Sequence, residues 1–293
     1  MTQSTEQLHV IRIDLDRATG ERCSELLDET ENNATLWIDA ERDQSRIEWF
    51  FDDPAAARNH VTLVRCLIDQ CAITPSPDIT ISTLQGADWS EAWKRFFHTT
   101  RVSERIVIKP SWETYMAEPG DCVITIDPGM SFGTGNHATT RACLRFLDQL
   151  ASRGDTGALL DAGCGSGILA IAAAKLGFGP VIAFDSDPDA IPIAKTNAAA
   201  NNVADRISFL VADLSTFIPP APADVVTANI LAPVLIANAD RLRAMVRPGG
   251  ALLLAGILTS QFAGLMEVFD RAEFVLREML PGDEWTSGWL ERG

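Results

Sequence analysis

Positive charge is what this sequence is short of: 24 Lys and Arg stand against 40 Asp and Glu, a formal net charge of −16. Neutralising a phosphate backbone needs a basic face, so this balance argues against direct sequence-specific binding of nucleic acid. The same balance would steer a basic protein partner inward, although it serves solubility equally well. No apolar run approaches the roughly 18 residues of a membrane span. The opening residues, MTQSTEQLHVIRIDLD, lack a charged stretch followed by an apolar core, so the expectation is no signal peptide and a cytoplasmic protein. Histidine is scarce at four, and the six cysteines (Cys23, Cys66, Cys71, Cys122, Cys143, Cys164) include no C-x-x-C pair. That excludes a disulfide framework and a zinc site, leaving reduced, mostly buried thiols and no metal. Internal repeats and low-complexity segments are absent as well.

What is present is organised around residues 159–185, LLDAGCGSGILAIAAAKLGFGPVIAFD. Leu159 and Leu160 close a short buried strand, and the turn that follows carries Gly163, Gly165 and Gly167. Ile168, Leu169, Ile171, Ala172 and Leu176 give a helix its apolar face, and Gly177 and Gly179 end it. A second apolar run, 181–184, delivers Asp185 at its carboxyl end. This is a βαβ nucleotide-binding unit, and ligands of open α/β sheets sit at such carboxyl ends. The glycine spacing is G-x-G-x-G, with Ile168 where a dinucleotide site needs its third glycine. With Asp161 ahead of the glycines, the pattern D-x-G-x-G-x-G resembles motif I of the class I methyltransferases that use S-adenosylmethionine (SAM). That resemblance implies glycines that let the backbone approach the cofactor, and an Asp185 that accepts from both ribose hydroxyls. An NAD-site acid does the same, so Asp185 alone does not discriminate.

With 293 residues the chain has room for two domains at about 100–200 residues each. Residues 1–84 read β-α-β-β-α-β. Strands fall at 8–15, 34–40, 46–51 and 79–84, and helical stretches at 18–31 and from Pro54 to about residue 71. In the second helix Val61, Val64, Leu67 and Ile68 share a face. This order is the ferredoxin-like split βαβ pattern. Nothing in it carries catalysis, and it reads as a substrate-recognition domain. Residues 85–120 form a connector, with Trp89, Trp93, Phe96 and Phe97 on a short amphipathic helix and a strand at 106–108. From 121 to 293 strands and helices alternate. Thr139 and Thr140 cap a helix starting near Arg141, and further helices are expected at 189–201, 231–246 and 261–271. Later strands fall at 207–211, 224–228 and, after a tight turn at 247–250, at 251–255. A closing antiparallel pair falls at 274–280 and 285–290. The fold class is α/β: a seven-stranded, Rossmann-like methyltransferase sheet preceded by a small ferredoxin-like α+β domain.

A more specific resemblance rests on three blocks in order: D-P-G-x-x-F-G-T-G-x-H-x-T-T at 127–140, D-x-G-C-G-S-G-I-L-A-I-A-A from Asp161, and A-N-I-L-A from Ala228. Together with W-x-x-A-W-K-x-x-F-H in the connector and a late E-W, they look like the ribosomal protein L11 methyltransferase (PrmA) family. The similarity runs from about Trp89 onward, and the first domain fits by element order. Asn136 and Ala138 depart from the family's frequent Thr and Pro at variable positions. The resemblance implies a SAM-dependent methyltransferase acting on lysine side-chain amines, and a terminal amine, of ribosomal protein L11.

The residues fit that chemistry. An asparagine oxygen at Asn229 and the backbone carbonyl of Ile230, both fixed by a strand end, are acceptors that can hold an amine by its N–H groups. They would aim its lone pair at the sulfonium methyl, and so take the catalytic roles. Asn229 also borders the cofactor. Cofactor contacts are expected from Asp161, Gly163, Gly165, Gly167 and Asp185, and by resemblance from Thr140. Phe132 and Gly133 would fold over the bound cofactor, and Asp213 could accept from its adenine amine. His137 invites a general-base role, but a hydrogen bond within its own loop accounts for it better, and Cys164 is small filler. Rival readings are a lysine methyltransferase of electron-transfer flavoprotein, which shares the Asn-Ile-Leu site, a SAM-binding module without turnover, and an NAD-dependent dehydrogenase, disfavoured by Ile168. Monomer is the default for the oligomeric state.

Overall fold

A computed structural model describes residues 7–20, 23, 34–39, 43–51, 53–70, 73, 77–85, 97–127 and 137–293. The chain divides into two compact units, Met1–Phe96 and Phe97–Gly293.

In the first unit, β1 (Gln7–Asp16), β2 (Ala34–Asp39), β3 (Gln44–Phe51) and β4 (Thr80–Gln85) form one sheet in the order β2-β3-β1-β4. Every neighbouring pair is antiparallel. Residues 17–20 and 23 are helical between β1 and β2, and α1 (Pro54–Gln70) joins β3 to β4. This is the split βαβ arrangement expected from the element order. Alternation puts Ile11, Ile13 and Leu15 of β1 on the buried face with Ile47 and Trp49 of β3. Ala57, Val64 and Ile68 of α1 cover them. Asp53 starts α1 by accepting from the Ala55 and Ala56 N–H groups at 3.1 and 3.0 Å. The aromatic helix expected around Trp89 and Trp93 lies outside the described residues.

The second unit opens with a three-stranded sheet: β5 (Thr100–Arg101), β6 (Ile106–Lys109) and β7 (Cys122–Thr125), in that order. Only its middle strand was expected, because β5 is two residues long and the parallel β6–β7 pairing is non-local. Ile106, Ile108 and Ile124 belong to the same apolar core as Leu144 and Leu147 of α2 (Ala138–Ser152). Arg105 bonds Asp148 of α2 at 2.6 Å, and Asn201 exchanges two hydrogen bonds with the Thr125 backbone.

The main sheet contains β8 (Leu159–Ala162), β9 (Val181–Asp185), β10 (Ile207–Val211), β11 (Ala223–Asn229), β12 (Val246–Leu258), β13 (Phe274–Leu280) and β14 (Trp285–Arg292). Their order is β10-β9-β8-β11-β12-β14-β13. The first five are parallel, and β14 runs antiparallel between β12 and β13. Helices α3 (Ile168–Leu176) and α4 (Ala190–Ala200) lie with α2 and the small sheet against one core. Helices α5 (Ala232–Ala237), α6 (Ala239–Met245) and α7 (Thr259–Arg271) build the other. Successive residues alternate between the cores: Leu159 and Val225 enter one, Leu160 and Val226 the other. Burial on both faces explains why these strands are continuously apolar.

Two local expectations are corrected. The helix expected over 231–246 is two helices, broken at Asn238, whose φ of −115° leaves the helical range. Its amide donates to the Val234 carbonyl at 2.9 Å and so caps the first piece. The turn expected at 247–250 does not precede the fifth strand but is contained in β12. Ala223 pairs with Val246 and Val225 with Ala251, so residues 247–250 loop out of the ladder. Among the described residues no helix is long and apolar enough to cross a membrane.

Candidate active site

The chain leaves β8 toward β9 on one side and reaches β11 on the other. That makes a topological switch point, and a crevice opens there at the strands' carboxyl ends. It holds a cavity of about 650 Å³. Gly163 of the turn, Asp185 at the end of β9, Ser186 next to it, and Asp213 after β10 line one part. Asn229 at the end of β11, Ile230 and Leu231 after it, and Gly256 of β12 line another. His137 and Trp285 close the wall.

The glycine turn takes its shape from left-handed backbone. Gly163, Gly165 and Gly167 have φ of 68°, 50° and 79°, which side-chain-bearing residues rarely adopt. At Gly167 a Cβ would also stand 3.0 Å from that of Ala194, so the turn packs tightly on α4. The N–H groups of Gly163 and Cys164 donate to the Phe184 carbonyl at 2.9 and 3.0 Å. Gly165 donates to Asp185 Oδ2 at 2.8 Å, and Asp187 N–H to Oδ1 at 3.0 Å. The Asp185 carboxylate is thereby fixed at the cavity wall, with lone pairs remaining on both oxygens.

Asp161 is placed differently. It is fully buried behind the turn and is not among the lining residues. Its Oδ1 accepts from the Thr227 hydroxyl at 2.6 Å and its Oδ2 from the Ala170 N–H at 3.1 Å, tying β8, β11 and α3 together. Burial outweighs these bonds and pushes its carboxyl up to about 6. Asp213 is exposed at the rim. The Ser215 hydroxyl and N–H hold its carboxyl below the usual range.

Asn229 carries the most informative geometry. Its Nδ2 donates to Thr140 Oγ1 at 3.3 Å, which orients the amide. Its Oδ1 is buried and has no hydrogen-bond partner among the described residues. An orphaned buried acceptor costs about 1–3 kcal/mol, so its retention beside a cavity points to a donor supplied from outside. Thr140 itself is buried in the first turn of α2 and meets the site through Asn229.

His137 caps α2, which begins at Ala138; Thr139 and Thr140 therefore lie inside the helix and do not cap it. The Thr139 N–H can only donate, so the Nδ1 it reaches at 3.4 Å is the acceptor, with the Thr139 hydroxyl 2.6 Å away. Burial lowers the pKa of His137 and favours the neutral ring. The ring proton then sits on Nε2, which makes this side a donor and not a base. The ring stands edge-on to Trp285, centroids 5.4 Å apart. Burial also pushes the Cys164 thiol up, so it stays protonated, in keeping with a space-filling role.

The structure thus brings together Gly163, Asp185, Asp213, Asn229 and Ile230 around one cavity, and Asp161, Gly165, Gly167 and Thr140 are not among the residues that line it. Phe132 and Gly133 lie outside the described residues. Ser186, Gly256 and Trp285 were not foreseen. Gly256 had a signal: an isolated glycine in the apolar run ALLLAGIL marks a bulge or a close approach.

A cavity at the switch point, a left-handed glycine turn, an acid at the end of β9 and an amide acceptor at the end of β11 fit SAM. With the seven-stranded sheet and its antiparallel β14, they define a class I SAM-dependent methyltransferase. A model of the family described as ribosomal protein L11 methyltransferase (PrmA) matches residues 9–292, and the chain belongs to that family. A ribosomal protein L11 methyltransferase of Geobacter metallireducens is 45% identical over 213 residues, covering 72% of this chain and 68% of the relative. One from Geobacter sulfurreducens is 41% identical over 250 residues, covering 84% and 81%. The crystal structure of the ribosomal protein L11 methylase from Lactobacillus delbrueckii subsp. bulgaricus is similar with a TM-score of 0.60 and 29% identity. It covers 67% of this chain and 99% of that one.

Proposed function

We propose that this enzyme methylates amines of ribosomal protein L11, on lysine side chains and at the terminal amine, in the cytoplasm and as a monomer. The observation that carries the reading is the buried Oδ1 of Asn229 at the cavity wall, which has no hydrogen-bond partner among the described residues. An amine is a donor of the kind this acceptor lacks. The Ile230 carbonyl, next in the chain, is the second acceptor. Bound SAM supplies a methyl group made electrophilic by its sulfonium. Asn229 and Ile230 hold the substrate amine by its N–H groups and leave its lone pair directed at that methyl. Asp185 accepts from the ribose hydroxyls, Asp213 takes the adenine amine, and Gly163 admits the cofactor's methionine part. Gly165 and Asp161 set the turn from behind, and Thr140 orients Asn229.

The amine must be neutral to react. A lysine of pKa about 10.4 costs roughly 4–5 kcal/mol to deprotonate at neutral pH. Desolvation beside a cation lowers that cost, and holding the reactants in line contributes up to about 7–11 kcal/mol in the best cases. Positioning therefore outweighs a dedicated base, and the donor character of His137 supports assigning none.

Residues 1–84 act as the substrate-recognition domain, joined through the connector at 85–120, whose residues from Phe97 onward belong to the second unit. The separate antiparallel sheet of the first unit and the net charge of −16, suited to a basic partner, support this. The test is incubation with methyl-labelled SAM and unmethylated ribosomal proteins, read by intact mass. A mass gain on ribosomal protein L11, lost in Asn229→Ala, is the expected result. Labelling of a different basic protein would discard the substrate and keep the chemistry.

A further inference from the structure

One peptide of the cavity wall is held in an unusual way. The Ile230 N–H donates to the Ala255 carbonyl at 3.1 Å, just beyond the last β11–β12 pair, Asn229 with Ala255. Gly256 follows on β12 with φ of 79°. There the β12–β14 register slips between Leu254 and Ile257, so Gly256 sits in a bulge. A Cβ at Gly256 would stand 2.7 Å from the Ile230 carbonyl oxygen, 2.9 Å from its carbon and 3.0 Å from its nitrogen. All three are backbone atoms, so no change of rotamer relieves the contact. On the other flank, a Cβ at Gly163 would meet the Ile230 side chain at 3.0 and 3.1 Å. Ile230 is fitted between two glycines, one against its backbone and one, from the cofactor turn, against its side chain.

We infer that Gly256 is a positioning residue for methyl transfer: its missing side chain lets the Ile230 carbonyl stand where it accepts from the substrate amine beside Asn229. This deepens the amine-transfer reading and rests on it. A side chain at 256 must move the carbonyl by about 0.7 Å to restore an ordinary 3.4 Å contact, the difference from 2.7 Å. Misplacement on the ångström scale costs up to about 100-fold in rate. A glycine needed only for the bulge would, when replaced, weaken folding and SAM binding together with turnover.

The test uses the full chain carrying Gly256→Ala or Gly256→Asn. Asparagine tolerates left-handed backbone while adding the same Cβ, so it keeps the test open if the alanine variant folds poorly. SAM-binding sites are counted by calorimetry, and kcat per site and KM for the protein substrate are measured by mass gain. The expected result in both variants is kcat lower by about tenfold or more, with SAM Kd within about twofold and protein KM within about threefold. Wild-type kcat per site in either variant overturns the inference. So does loss of SAM binding in step with turnover in both, which makes the glycine a requirement of the fold alone. A wild-type enzyme that methylates no amine refutes the underlying reading and this inference with it. That outcome is distinct from an active wild type with unimpaired variants, which refutes the inference only.

Discussion

Replacing Asn229 with Ala should separate function from stability, with opposite signs. The substitution removes one hydrogen bond, Nδ2 to Thr140, long at 3.3 Å and worth about 0.5–1 kcal/mol. It also removes a buried oxygen that has no partner among the described residues, and an acceptor left unpaired costs about 1–3 kcal/mol. The cavity left is small and open to the site, so the SAM-free protein should be as stable as wild type or gain up to about 2 kcal/mol. In a unit of this size each kcal/mol moves Tm by about 2–4 °C, so the expected change lies between none and about +8 °C. Turnover should move the other way. Losing the acceptor that fixes the amine should lower kcat about 100-fold, equivalent to about 2.7 kcal/mol. The measurements are thermal melts without SAM, calorimetric SAM titration, and methyl transfer at saturating substrates. SAM Kd should stay within about threefold, because Asp185 and the turn carry most of that binding. A Tm lowered by more than about 4 °C would show that Oδ1 is satisfied in the free enzyme. A SAM affinity that falls as far as kcat would remove Asn229 from its amine-holding role.

Three further outcomes follow from the same geometry. Asp185→Ala should weaken SAM binding about 10–100-fold through loss of two charge-assisted hydrogen bonds, and calorimetry giving wild-type affinity would sink that role. Thr140→Val should lower kcat several-fold by freeing the Asn229 amide to rotate, with Thr140→Ser restoring it; equal rates in both variants would refute the orienting bond. Asp161→Asn tests a pH dependence. The folded-state carboxyl sits at about 6 against 3.8, so its contribution is complete below about pH 4 and is lost as pH rises through about 6, an effect near 3 kcal/mol. The variant should therefore gain several degrees in Tm relative to wild type between pH 4.5 and 7.5, and a pH-independent difference would show that Asp161 is not desolvated.

What could be read from the sequence was local. The glycine turn, the strand before it and Asp185 are near neighbours in the chain, and their spacing is the signal. Asn229 could be read because strand 223–229 ends on it, although its orphaned oxygen depends on Thr140, 89 positions away. Trp285 and His137 meet only because β14 inserts between β12 and β13, a pairing no periodicity encodes. The break at Asn238 was hidden because apolar residues continue across it at helical spacing, and the side-chain cap on Val234 decides it. The role of Asp161 changed for a related reason: a motif gives the residue type, while Thr227 and the Ala170 N–H determine where its oxygens face.

The position of β14 bears on how the enzyme survives in a cell. Trp285 is joined to the cavity wall by the late-coming strand that also carries Trp289 and Leu290 into the two cores. The ligand pocket is therefore complete only in chains in which β14 has paired between β12 and β13, a non-local contact that is slow to form. SAM bound there withdraws finished molecules from the unfolding equilibrium, adding about 2.7 kcal/mol at a hundred times Kd. Abundance of the enzyme should then rise and fall with methionine supply, because a cell depleted of SAM leaves more of its copies open to proteolysis.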